Sequence, residues 1–150
     1  MEKETLVRTA GAVGATVRFL PREGLEAAMR ELVAGRTACV APGLGLAAPG
    51  PAAAPADAEV GIARARLWVE ETATALVAGS DLATLLPPVG ILIVSAASVV
   101  PCYDDLVDHL KAHPDEWCAA VTGPSRTADI EKVLVIPAHG PRELHLLIVE

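Results

Sequence analysis

The run Val89–Ser95, VGILIVS, most restricts what this chain can fold into. It is an unbroken stretch of apolar, mostly strand-forming residues, so a strand built from it must be covered on both faces. It lies inside a charge-free segment, 82–103, long enough to cross a bilayer as a helix. Pro87, Pro88, Gly90 and Pro101 would break such a helix, and Asp81 and Asp104 flank it rather than Lys or Arg. The segment therefore predicts a buried strand with its flanking loops.

The elements around it alternate. Ala15–Leu20 and Thr37–Ala41 are short apolar runs. Between them Leu25, Ala28, Met29, Leu32 and Val33 fall on one helical stripe, with Gly35 as its stop. Strand, helix, strand predicts a parallel crossover. The Pro/Ala/Gly-rich segment 42–56 reads as a loop or a poorly ordered linker. Beyond it the patterns predict a short strand over Glu59–Ala63 and a helical turn over Ala65–Glu70. Thr72–Ala78 reads as strand, Asp104–Ala112 as helix, and Trp117–Thr122 as a buried strand. Thr127–Val135 reads as helix and Leu144–Val149 as a terminal strand. The expected fold is α/β, a mainly parallel open sheet flanked by helices, in one domain over 1–150.

A chain of 150 residues that is 52% apolar and 21% charged can pack a core. Its net charge of −7 and its four aromatics, Phe19, Trp68, Tyr103 and Trp117, argue against a nucleic-acid partner. The N-terminal MEKETLVRTAG has no apolar h-region, so a cytoplasmic protein is expected, with no membrane partner. Cys39, Cys102 and Cys118 are scattered without a CxxC, which leaves no ordinary cluster or zinc ligand set. His109 and His113 have metal-ligand spacing but no third ligand, so no metal is expected.

The densest unusual segment is TGPSRTADIE, Thr122–Glu131. Gly123 and Pro124 can shape a turn, and Ser125 or Thr127 can cap a following helix. Arg126 offers a forked donor suited to a carboxylate or phosphate at a strand's carboxyl end. An internal pair with Asp129 would explain it equally well. In AHGPRELH, Ala138–His145, His139 can act as an acid–base group or cap a helix, while His145 reads as structural. Glu70 and Glu71 are neighbouring carboxylates, placed for catalysis or at a solvated element end.

The run GPSRTADIEKVLVIPAHGPRELHLLIVE resembles the signature end of the LUD domain, a lactate-utilisation family. The match stands at Gly123–Glu131, His139, Gly140, Pro141, Glu143, Leu144 and His145. Upstream, LLPPVGILIVSAASVVP and VGIARARLWVEETATALV resemble two further segments of that family. Three departures stand out. Ala73 occupies a glycine position, IPAHGP replaces GVHGP, and the family's N-terminal helical extension is absent or much reduced.

The resemblance implies a fold similar to the NagB/RpiA/CoA-transferase type. It also implies work in oxidising L-lactate to pyruvate beside iron–sulfur proteins, as a non-redox subunit that binds no cofactor itself. The clusters would sit in its partners. The ligand-binding candidates are Gly123, Ser125, Arg126, Thr127, His139 and Gly140, and the expected ligand is lactate or another small carboxylate. The alternative is an independent enzyme or binder of a CoA ester or sugar phosphate, with Glu71 or His139 as the catalytic candidate. A scaffold domain that has lost its ligand site is the third reading.

Overall fold

A computed structural model of the chain describes residues 2–124, 127–128, 134–135 and 140–150. Helix α1 (Lys3–Ala12) leads to β1 (Ala15–Leu20), α2 (Leu25–Val33) and β2 (Ala38–Val40). Then come β3 (Val60–Val69), β4 (Thr74–Ala78), β5 (Val89–Ser95) and the short β6 (Val99–Val100). Helix α3 (Tyr103–Ala112), β7 (Cys118–Thr122), β8 (Thr127–Ala128), β9 (Leu134–Val135) and β10 (Glu143–Val149) complete the order.

The main sheet runs β1-β10-β5-β3-β4-β7. β1, β10, β5 and β3 are parallel neighbours, and β2 lies parallel on the far side of the first half of β3. A register shift between Ala65 and Leu67 marks a bulge, beyond which β3 pairs antiparallel with β4 and parallel with β6. β7 closes the far edge, antiparallel to β4. The result is the expected α/β architecture, a mostly parallel open sheet flanked by helices. β5 sits at its centre with every residue but Ser95 buried, as VGILIVS requires.

Registered residues share a face of the sheet. Arg18, Leu147, Ile93 and Arg64 form one row across it. Arg18 pairs with Glu31 of α2 at 2.9 Å, so α2 covers this face. Phe19 points the other way and meets the Lys3 ammonium of α1 at 5.0 Å from its ring centroid. The two helices therefore lie on opposite faces.

Met29 and Val33 of α2 are buried, and each side chain contributes roughly 1.5–3 kcal/mol. The helix ends at Ala34, which is left-handed at φ 50°, while the Arg36 guanidinium donates to the Leu32 and Val33 carbonyls. The Val33 carbonyl also accepts the Arg36 backbone N–H at 3.0 Å, so these contacts satisfy carbonyls at the helix end that have no intrahelical donor.

Several expectations are corrected. Val60–Val69 is one strand, with no helical turn over Ala65–Glu70. Pairing with β4, β5 and β6 outweighs the helix propensity of its Ala, Arg and Leu. Trp117–Thr122 is not a buried strand. β7 is a partly exposed edge strand and Trp117 is 71% exposed, its ring lying over Gly79. Thr127–Val135 neither begins nor ends as helix, because Thr127–Ala128 and Leu134–Val135 pair antiparallel as β8 and β9, and 129–133 lie outside the described residues. A helix, α1, precedes the first strand where none was expected, with Leu6 and Ala10 buried one turn apart.

The segment 42–56 is tied down as well. Ala38 donates to the Pro51 carbonyl, and Ala53 donates back to Ala38. Gly50 lies so close to the Arg36 carbonyl that a Cβ there would come within 2.6 Å of it.

Candidate functional site

The carboxyl ends of the parallel strands open onto a cleft of about 1120 Å³. Ile93 and Ser95 of β5, Val149 of β10, and Arg64 and Arg66 of β3 form its sheet side. Leu25, Glu26, Met29 and Arg30 of α2 form one wall and residues 44–50 another, with Arg22 and Glu23 at the rim. Ligands of open α/β sheets gather at this end, where loops diverge and backbone groups are free to bind.

The charge here runs against the rest of the molecule. Four arginines line the cleft against two glutamates, in a chain of net charge −7. Arg30 is held by Glu26 at 2.6 Å and Arg66 by Glu116 at 2.9 Å. Arg64 projects from the middle of β3 beside buried Ala63 and Ala65. Its guanidinium makes no hydrogen bond or ion pair among the described residues. A smaller cavity of about 150 Å³, lined by Pro42, Gly43, Ser80 and Asp81, reaches the same Arg64 and Arg66.

The sequence-derived candidates lie elsewhere. Gly123 follows β7 with φ +66°, and a Cβ there would come 2.5 Å from the Val13 carbonyl. Val13 precedes β1, so this turn sits at the amino ends of the parallel strands. Gly140 (φ 102°) and Pro141 lead into β10 at the same end, with Pro141 packed on Gly90. Ser125, Arg126 and His139 lie outside the described residues. Thr127 is in β8, so it does not cap a helix. The Glu71 carboxylate accepts the Tyr103 N–H at the start of α3 at 3.3 Å, and Glu70 accepts the Glu2 N–H at 3.0 Å. Each therefore caps or ties a backbone group. Sequence reading missed the cleft, although Arg64 and Arg66 alternating within an apolar strand were its signal.

The remaining titratable groups are engaged locally. Cys39 is buried, which pushes its thiol up. The Cys102 thiol donates to the Asp105 carboxylate at 3.1 Å, which also raises its pKa. Burial, followed by the nearby Glu116 carboxylate, raises Cys118. His109 and His113 stack at 4.3 Å, and His113 Nδ1 lies 2.9 Å from the His109 carbonyl. The two rings stack with 29° between their planes. His145 Nδ1 lies 2.6 Å from Thr16 Oγ1, and burial lowers its pKa below the usual histidine value. Among the described residues no helix is long and apolar enough to cross a membrane.

The chain is similar to known proteins across this fold. A solved DUF162 family protein from Deinococcus radiodurans superposes with a TM-score of 0.71 at 18% identity, covering 100% of this chain and 99% of that one. "Lactate utilization protein C" of Bacillus velezensis is 33% identical over 103 residues, 62% of this chain and 43% of the relative. The chain thus spans less than half the length of the curated relative it matches. Residues 54–149, from the end of the 42–56 loop to the last residue of β10, match the model of the LUD domain, and the chain belongs to that family.

Proposed function

We propose that this chain is a non-redox component of a cytosolic L-lactate oxidation system and works beside iron–sulfur proteins that carry the electrons. The observation that carries this reading is the match over 54–149, reinforced by a relative whose name places it in lactate utilisation. The thiols support the non-redox part. One is buried under the Thr84 carbonyl at 3.9 Å and another is bonded to Asp105, so neither stands ready as a cluster ligand. In this reading Arg126 holds a carboxylate, from lactate or from a partner's side chain, with the two parallel hydrogen bonds its fork allows.

Deletion and complementation in the source cell test it. Growth on L-lactate should fail without the gene and return with the wild-type chain. Arg126→Ala should reduce lactate-dependent growth or partner capture about tenfold or more, as for a lost charge-assisted contact. Arg126→Lys should restore it only in part, because lysine keeps the charge and loses the fork. Normal growth of the deletion strain on L-lactate would refute the reading.

A further inference from the structure

We infer that the cleft between α2 and the sheet binds a phosphate-bearing small molecule with an apolar body, seated with its phosphate on Arg64. This inference rests on the cleft alone and stands whether or not the chain serves lactate oxidation.

The first ground is charge. Glu26 holds Arg30 and Glu116 holds Arg66, which leaves Arg22 and Arg64 in the lining without an ion pair among the described residues. A phosphomonoester carries about −1.5 to −2 at pH 7 and can engage both, whereas a monocarboxylate offers a single charge. Arg64 is the natural seat, since its guanidinium is not held by any other described residue. A guanidinium fork meets two phosphate oxygens at once. Ser95 and Ser98 add hydroxyl donors at the end of β5. Asp81 lines the smaller cavity on the other side of Arg64 and accepts a hydrogen bond from Ser80. Its carboxylate disfavours an anion there and directs the phosphate to the large-cleft side.

The second ground is size and polarity. About 1120 Å³ is at or above the usual range for a ligand of drug size, roughly 300–1,000 Å³. A molecule as small as lactate would leave most of it to water. The walls offer Leu25, Met29, Leu46, Ile93 and Val149, and Leu46 is among the exposed large apolar side chains of the molecule. An apolar or planar group lying along that wall would remove it from water.

Phenyl phosphate is the probe, with inorganic phosphate and benzoate as comparators, measured by titration calorimetry on the whole chain. Phenyl phosphate should bind saturably, about tenfold or more tightly than either comparator, since each lacks one of the two recognised parts. Arg64→Ala should weaken it about tenfold or more without moving the melting temperature. Arg8→Ala, on α1 against the opposite face, removes the same charge and should change affinity less than about twofold. Absence of saturable binding would overturn the inference. So would benzoate binding as tightly as phenyl phosphate, or an Arg8→Ala loss equal to that of Arg64→Ala, which would mean diffuse attraction.

Discussion

The two ends of the parallel sheet are built on opposite terms. At the amino ends of the parallel strands, glycines let neighbouring segments approach closely. A Cβ on Gly61 would sit 1.5 Å from the Thr84 carbonyl oxygen, and one on Gly123 2.5 Å from that of Val13. Gly90 has only the room that Pro141 and Leu144 leave. At the carboxyl ends the strands part around a cleft, and side chains with charge to spare face into it. The glycines of the family-like motif therefore have work to do in packing, whatever the rest of that motif binds. The open end has arginines, among them Arg64 and Arg66 alternating along β3.

Four substitutions or conditions separate the ends. Gly61→Ala should have the largest effect, about 3 kcal/mol or more, because the clash is with backbone and no side chain can turn aside. That corresponds to a fall in melting temperature of roughly 6–12 °C for a chain of this size. An unchanged thermal unfolding curve would show that the 3-10 helix Gly79–Leu85 does not press on β3 as described. Gly123→Ala should cost less, about 2 kcal/mol, from a strained φ and contact with Val13. If it unfolds normally yet abolishes lactate growth, the turn serves a ligand rather than the packing of α1.

The third test is a pH titration. Burial lowers the His145 pKa in the folded chain, so the unfolded chain binds more protons below about pH 6.5. Stability from this residue is present above that pH and is lost as pH falls through the unfolded value toward the folded one. Denaturant midpoints should drop between about pH 7 and 5, and His145→Gln should flatten that slope. The smallest effect belongs to the open end. Arg64→Ala should leave stability within about 0.5 kcal/mol, as expected for an exposed side chain with no partner among the described residues. A larger loss would make the arginine part of the scaffold.

Two elements were plainly legible in sequence. VGILIVS declared a strand because only a doubly covered strand tolerates such a run, and the stripe ending at Val33 declared α2 because its period is helical. The second half of β3 was hidden. Ala, Arg and Leu over Ala65–Leu67 carry helix propensity, and the bulge there breaks the alternation that marks a strand. The reading of Thr127–Val135 as helix failed in the same way, since short segments take the structure their partners impose. The cleft was invisible for a different reason. It is assembled from α2, the 44–50 loop and three strand ends, and no local pattern records that they converge. Ala73, which stands where the resemblance expects glycine, does adopt a left-handed φ of 52° while fully buried. The backbone requirement has thus outlived the residue that meets it most cheaply.

The place of β10 has a consequence for how the chain reaches this state. Among the described residues β1 has β10 as its one sheet neighbour, so Thr16 waits for His145 across 129 positions of chain. Closing so long a loop must precede any reward from the pairing, which makes for slow folding. Until then α1, β1 and α2 have nothing to complete their sheet, and an unpaired strand edge is open to strangers. During synthesis this segment of about a fifth of the chain persists as an unfinished body, and chaperones that shield strand edges would act on it before any ligand could.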